Sequence, residues 1–323
     1  MRILLTGGRG MVGRAVQRLA EQHYRDIQII APTKSDLDLR DQAAVKAYFE
    51  STQYDAVIHC GARVGGIGAS VENPVSFLVQ NLQINTNTIQ YAFEAGVPNF
   101  IFVASSCMYP RDYKIPLKED YILEAPLEPT NEGYALSKIC GAKHCEYITT
   151  ETGLAYRTFV PCNLYGPHDD FTPGFSHLIA AAIQKIDAAI AADNAPVTIW
   201  GDGSARREFL FVDDFARFLL AQVGVLSDMP SVLNVGYGAE HSVLEYYQMI
   251  AEAMGYTGDF TFDTERPVGM KSKLMDSTRA RALGWAPGVD IREGIRETVA
   301  FYRDPQRSQD GELYRRSQNM YVG

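Results

Sequence analysis

Thr6-Gly7-Gly8-Arg9-Gly10-Met11-Val12-Gly13 lies between a short apolar run, residues 3–5, and a helical pattern over residues 11–22. A strand that passes through a glycine-rich turn straight into a helix is the setting of a dinucleotide fingerprint. Glycines permit the tight turn and let the main chain approach a pyrophosphate. The helix N-terminus adds free N–H groups and positive potential. Gly7, Gly8, Arg9, Gly10, Met11, Val12 and Gly13 are therefore expected at a cofactor phosphate. The plain alternative is a glycine turn with no ligand, and the strand–turn–helix context weighs against it.

The alternation continues outward from this turn. Apolar runs at 27–31, 56–60, 100–104 and 155–160 read as further buried strands. Helical patterns fall at 42–51, in a long stretch up to 95, and at 134–150. Strand and helix in alternation imply a parallel sheet covered on both faces. The expected class is α/β, a Rossmann-like doubly wound parallel sheet with a smaller α/β substrate-binding lobe. Beyond residue 160 the rhythm loosens. PCNLYGPHDD reads as an irregular connection. A helix is expected over 175–191, then a strand and turn in VTIWGDG. FVDD opens another helix, with Asp213 or Asp214 as its cap, and SVLNVG resembles one more sheet strand. The lobes are drawn as 1–166 plus about 207–238 for the cofactor, and 167–206 plus 239–304 for the substrate. A polar tail, 305–323, remains. No internal repeat or low-complexity segment stands out.

The chain has 323 residues, 46% of them hydrophobic and 21% charged, which excludes a disordered class. Lys and Arg number 30 against 39 Asp and Glu, for a net charge of −9. A long-range basic field for nucleic acid is not expected. No segment reaches about 18 uninterrupted apolar residues, so no membrane span is expected. MRILLTGG is too short for a signal peptide. Cys60, Cys107, Cys140, Cys145 and Cys162 are scattered with no CxxC pair. Neither a disulfide framework nor a zinc or other metal site is indicated, and a cytoplasmic location fits.

NAD enzymes usually close the second strand with an acidic residue for the ribose hydroxyls. Here the strand ends Ala31-Pro32-Thr33-Lys34. Arg9 and Lys34 could both reach a 2′-phosphate, which favours NADP(H). Asp36 and Asp38 lie a little further along and keep NAD open. Tyr134 and Lys138, in GYALSK, are spaced i and i+4 and share one face of a helix. A neighbouring ammonium favours the phenolate and lowers the phenol pKa, so Tyr134 could exchange a proton with a substrate oxygen. Ser105, at the end of the fourth strand, could bond the same oxygen.

These features together are similar to the extended short-chain dehydrogenase/reductases. Arg9-Gly10-Met11-Val12-Gly13, Val64-Gly65-Gly66-Ile67, Ser105-Ser106-Cys107-Met108-Tyr109-Pro110, Leu127-Glu128-Pro129-Thr130-Asn131-Glu132, Asn163-Leu164-Tyr165-Gly166-Pro167-His168, Trp200-Gly201 and Arg207-Glu208-Phe209-Leu210 resemble the GDP-L-fucose synthase family within that class. The resemblance implies epimerisation at C3 and C5 of a GDP-4-keto-6-deoxy sugar, then reduction of C4 with NADPH. A keto group at C4 acidifies both neighbouring carbons. Inversion then needs a base and an acid on opposite faces and a donor to the enolate oxygen.

By resemblance, Cys107 is that base and His177 the acid. Tyr134 and Ser105 hold the oxygen, and Lys138 holds the ribose. The resemblance extends the cofactor site to Lys34, Asp38, Leu39, Ala104, Lys138, Pro161, Asn163, Leu164 and His177. The nucleotide-sugar diphosphate needs cations, for which Arg207 and then Lys185 are the candidates. Trp200 would flank the base, with Ser106 and Asn163 beside the substrate. The chain departs from the family at Pro267-Val268-Gly269, where the family has an aspartate before the glycine. It also departs at Lys185 and at Arg63, where the family often has Arg and Lys. Related substrates are GDP-4-keto-3,6-dideoxymannose and GDP-4-keto-6-deoxy-heptoses. A redox-neutral nucleotide-sugar 4-epimerase is the other enzyme reading, and an NADP-sensing regulator the non-enzyme one. A homodimer through the helix carrying Tyr134 is implied by the family.

Overall fold

Six strands pair in parallel to form the centre of the molecule: β1 (Arg2–Thr6), β2 (Gln28–Ile30), β3 (Ala56–His59), β4 (Asn99–Val103), β5 (Ala155–Pro161) and a late strand, Val232–Val235. In this computed structural model residues 1–65, 67–172, 176–266 and 269–304 are described. Gly66, Pro267, Val268 and the 305–323 tail named above therefore lie outside the described residues, as does Phe175.

Four short strands precede the late one: β6 (Asn163–Tyr165), β7 (Val197–Trp200), β8 (Arg206–Arg207) and β9 (Phe209–Phe211). The late strand is then β10, followed by β11 (His241–Ser242) and β12 (Phe260–Asp263). The sheet order is β10-β5-β4-β3-β1-β2. The chain leaves β1 for β2 on one side and returns to β3 on the other. Ligands of open α/β sheets sit at that reversal, outside the C-terminal strand ends.

The strands are continuous apolar runs because both faces are covered. Ile3, Leu4, Leu5, Val57, Ile58, Phe100, Ile101 and Phe102 have no exposed surface. Burial of each such side chain contributes about 1.5–3 kcal/mol. The covering helices form two groups. α1 (Met11–His23) packs on α7 (Val212–Gln222), while α4 (Pro74–Glu94) packs on α5 (Glu132–Thr152) and on α2 (Gln42–Ser51). A short α3 (Ile67–Glu72) precedes α4. Gly141 lets α5 approach the sheet: a Cβ there would stand 2.5 Å from the Phe102 ring. The helices start where local chemistry dictates. The Asp41 carboxylate accepts the Ala44 N–H at the start of α2. Ser242 and Glu245 form a reciprocal capping box for α8 (Val243–Met254).

A second apolar cluster gathers α6 (Leu178–Ala191), α8 and α10 (Ile291–Arg303) around β7 and β9. Between α8 and α10 lies the short α9 (Thr278–Ala282). Met275, Ala280 and Trp285 return to the larger cluster, so the late chain straps the two together.

Two expectations are corrected. Neither Asp213 nor Asp214 caps α7, whose cap position is Phe211. Asp213 instead pairs with Arg18 of α1, and Asp214 accepts the N–H groups of Gly288 and Val289 at 2.9 Å. Both carboxylates are taken by tertiary partners. α6 starts at Leu178 rather than 175, because His177 has extended backbone (φ −75°, ψ 171°) and occupies the cap.

Candidate active site

The glycine turn is a cradle of main chain. Gly7 has φ +72°, a left-handed conformation that suits glycine, and its carbonyl accepts the Gly10 N–H at 3.0 Å. A Cβ on Gly13 would collide with the Gly7 carbonyl, and one on Gly8 would stand 2.7 Å from Ala31 Cβ. Gly10 caps α1 without a side-chain bond, and the first turn, which holds Met11 and Val12, has no acidic residue. Its N–H groups are thus suited to an anion, and the cradle fits a dinucleotide pyrophosphate.

Arg9 and Lys34 are exposed at the rim. The two carboxylates that kept NAD open are engaged. Asp36 accepts the Thr33 N–H at 2.9 Å and its hydroxyl at 2.7 Å. Asp38 is gripped by Arg40, with Nε–Oδ1 at 2.9 Å, and that bond first of all holds its pKa below the usual carboxylate value. Arg40 is a cation that the sequence reading missed. Leu39 closes the side of the cleft: a Cβ on Gly61 would stand 2.8 Å from its Cδ1.

The end of β4 carries the groups expected to react. Ala104 is buried and donates its N–H to Phe159 O, continuing the sheet by one residue. Ser105 then caps a 3₁₀ turn over Ser106–Met108, its hydroxyl accepting the Cys107 N–H at 3.4 Å. Ser106 and Cys107 are buried. α5 brings Tyr134 and Lys138 alongside. The Lys138 ammonium donates to Val103 O at 2.8 Å and stands 5.7 Å from the Tyr134 ring centre. Desolvation lowers its pKa to about 8.

The expected lowering of the Tyr134 phenol by this ammonium is not what the arrangement yields. Desolvation, then the charge of Cys107, pushes it up. Tyr134 keeps its proton and is equipped to donate it. Burial likewise raises Cys107, against the downward pull of Lys273, Ser105 and Lys138. The thiol is thus further from ionisation than a solvent-exposed thiol. His177 is exposed, yet desolvation and then Lys273 lower its pKa. Protein mass crowds the ring without covering it, as in a crevice.

Lys273 is the second residue that sequence reasoning missed. Its charge acts on Cys107, His177 and Arg207, which joins the two sides of the site. Arg207 donates to Met270 O at 2.7 Å. Asn163, in β6, donates to Glu208 O at 3.0 Å. Pro161 is buried at the end of β5, and Leu164 is half-buried in β6. Further out, Trp200 is 53% exposed. Lys185 Nζ lies 5.3 Å and the Arg266 guanidinium 5.2 Å from that ring. Arg266 is a third missed cation.

Behind the site a buried chain of hydrogen bonds joins cofactor turn to catalytic helix. Gly61 N–H donates to Thr6 Oγ1, which meets His59 Nδ1 at 2.6 Å. His59 Nε2 meets Asn85 Oδ1 at 3.2 Å, and Asn85 Nδ2 donates to Ser137 O at 3.1 Å. A carbonyl only accepts, so Asn85 must take a proton from Nε2, and neutral His59 then accepts from Thr6 at Nδ1. Desolvation, with Lys138 next, lowers the His59 pKa to about 3.

The surface hollow lined by Glu72, Asn73, Pro74, Val75 and Gln80 contains none of these groups. Among the described residues no three His, Cys, Asp or Glu side chains gather as a metal site, and no helix is long and apolar enough to cross a membrane.

Comparison with known proteins finds relatives along nearly the whole chain. The model of the NAD dependent epimerase/dehydratase family matches residues 3–236. The chain is 46% identical over 301 residues to a GDP-L-fucose synthase of Azorhizobium caulinodans, covering 93% of this chain and 96% of the relative. It is 43% identical over 303 residues to a GDP-L-colitose synthase of Yersinia pseudotuberculosis, covering 94% and 98%. Among solved structures, a GDP-L-fucose synthetase of Naegleria fowleri bound to NADP superposes with a TM-score of 0.84 at 27% identity, over 93% and 92% of the two chains.

Proposed function

Because the chain belongs to the NAD-dependent epimerase/dehydratase family, we propose that it is an NADPH-dependent 3,5-epimerase and 4-reductase of a GDP-4-keto-6-deoxy sugar. GDP-4-keto-6-deoxy-D-mannose is the substrate we favour, with GDP-L-fucose or a close GDP-deoxy sugar as product. The observation that carries the reading is the meeting of Ser105, Cys107, Tyr134 and Lys138 at the end of β4, where the Ser105 hydroxyl accepts the Cys107 N–H at 3.4 Å and the Lys138 ammonium donates to Val103 O at 2.8 Å and stands 5.7 Å from the Tyr134 ring centre. Cys107, Tyr134 and Lys138 act on one another electrostatically, and Lys273 links Cys107 to His177.

The glycine cradle, with Arg9 and Lys34 at its rim, would hold NADP(H), and Lys138 would hold its ribose. When bound, the cofactor supplies the hydride for C4. Every other step falls to the chain. Cys107 takes a proton from a carbon beside the C4 ketone, and His177 returns one to the opposite face. Ser105 and Tyr134 donate to the enolate oxygen, and Tyr134 later gives its proton to the C4 oxygen. The incoming diphosphate favours the imidazolium form of His177 and offsets Lys273. His177 and Lys185 are eight residues apart along α6, about 12 Å of helix. That spacing suits a sugar ring at one end and a base near Trp200 at the other, with Arg207 at the diphosphate between them.

The experiment that tests the reading is NADPH oxidation by purified protein across 4-keto-deoxy sugar nucleotides, with product identified by NMR. Stoichiometric oxidation with GDP-4-keto-6-deoxy-D-mannose is expected. Interconversion without net oxidation would put a 4-epimerase in its place, and NADP binding without turnover a regulator. The colitose synthase relative supports a second substrate, GDP-4-keto-3,6-dideoxymannose, to be included in the panel.

We also assign the chain to the cytoplasm, supported by five free cysteines. A homodimer through α4 and α5 is supported by exposed Val75, Val79, Leu136 and Tyr147. The cofactor and substrate lobes are divided as drawn from the sequence, except that Tyr165, Phe209 and Phe211 pack in the second cluster and 275–285 reaches back to the larger core.

A further inference from the structure

Three consecutive residues, Arg206, Arg207 and Glu208, grip a single irregular segment. Arg206 N–H donates to Lys271 O at 2.8 Å, and the Arg207 guanidinium donates to Met270 O at 2.7 Å. Glu208 Oε2 accepts the Met275 N–H at 2.9 Å. Both ends of 270–275 are thus held, with Lys273 in the middle. Leu117 supports the same segment from the opposite side, donating to Leu274 O at 2.8 Å.

Glu208 has no exposed surface. Its other oxygen, Oε1, accepts the Gly238 N–H at 2.6 Å, so one carboxylate ties the exit of β10 to the 270–275 segment. Glycine is needed at 236 for this approach: a Cβ there would lie 2.5 Å from Oε1. A buried carboxylate is costly to desolvate, and burial pushes its pKa up to about 7. A carboxylate is also the one side chain that presents an acceptor at each of two oxygens. An amide would turn a donor toward one of the two N–H groups.

We propose that Glu208 is a positioning residue of the active site: it holds the 270–275 segment, and through it the Lys273 ammonium, beside Cys107 and His177. Around Cys107 stand Lys273, Lys138, Ser105 and Tyr134, and around Lys273 stand Cys107, His177, Arg207, Cys162 and Glu128. Of the groups pulling Cys107 toward its thiolate, Lys273 acts most strongly, so its placement sets how readily the thiol gives up its proton. The catalytic meaning of this device rests on the reading of Cys107 as a base, but its test needs no sugar nucleotide.

The test follows alkylation of Cys107 by iodoacetamide against pH in the full chain, read from the mass of the Cys107 peptide. NADP(H) affinity serves as the check on folding. Glu208→Gln and Lys273→Met should each slow alkylation at pH 8 about tenfold, an upward shift of about one pH unit. The double variant should be no slower than either single one. A purely structural loosening would open the site and speed alkylation, the opposite sign. Alkylation of Glu208→Gln at or above the wild-type rate overturns the proposal, as does a double variant slowed by the product of the single effects. If Glu208→Gln does not fold, Glu208→Asp should give an intermediate slowing. Lys273→Met at the wild-type rate overturns the proposal by itself. Absence of turnover on every 4-keto sugar nucleotide would defeat the proposed reaction and leave the alkylation result standing.

Discussion

The cofactor half and the sugar half of the cleft are built in different ways. The cofactor half is main chain. Gly7, Gly8, Gly10 and Gly13 are neighbours in sequence, and their geometry follows from one strand, one turn and one helix. The proposed sugar half is side chain, gathered from Ser105–Cys107, Tyr134–Lys138, His177, Arg207 and Lys273, which only the finished fold brings together. The first kind of site survives changes of surrounding residues but not of its own glycines. The second depends on anchors such as Glu208 that touch no ligand. Variants on either side should therefore fail in different ways.

The largest effect is expected at Tyr134. Tyr134→Phe removes the proton donor, and NADPH oxidation should fall by about 10²–10⁴-fold with dinucleotide affinity nearly unchanged. Steady-state rates and fluorescence titration separate the two, and normal oxidation would remove Tyr134 from the reaction. Next comes Cys107→Ser, which should slow deuterium entry from D₂O at C5 and C3 by about a hundredfold or more while NADPH still binds. Mass spectrometry of recovered sugar nucleotide reads this out. Exchange at the wild-type rate would place the base elsewhere.

Gly13→Ala tests the other half. The added methyl has only main chain to displace, a cost of about 1–3 kcal/mol, so NADPH affinity should drop about ten- to a hundredfold with no change in the deuterium exchange rate at saturation. A milder effect concerns pH. Lys138 has its pKa lowered to about 8, so its charge is present below that value and lost above it. NADPH affinity should decline as pH rises past 8, and Lys138→Arg should move that limb beyond the measurable range. The smallest effects belong to the rim. Arg9→Ala and Lys34→Ala remove solvent-screened cations, and each should cut the preference for NADPH over NADH about three- to tenfold.

The same contrast explains what the sequence disclosed. The glycine turn, the five early strands and α1, α2 and α5 follow local rules of period and turn chemistry, and they fall within a few residues of their expected places. Lys273 carried no such signal. It lies in an irregular stretch, Lys271-Ser272-Lys273, whose position is set by hydrogen bonds to residues more than sixty positions earlier. Asp213 and Asp214 looked like caps because the cap pattern is local, while their partners, Arg18 and Gly288–Val289, are remote. The ionisation of Tyr134 differs from the sequence expectation for the same reason. Spacing reveals a neighbouring charge, but only the packed structure shows how much water has been removed.

His59 sits at the centre of the sheet with a single tautomer and a pKa near 3, far outside the range in which such an enzyme works. This buried chain of hydrogen bonds is therefore deaf to mild acid. It keeps the turn and the catalytic helix in one fixed relation while the rim responds. Sensitivity to pH between mild acid and mild alkali is therefore to be sought in the crevice and at the buried Glu208 carboxylate, not at His59.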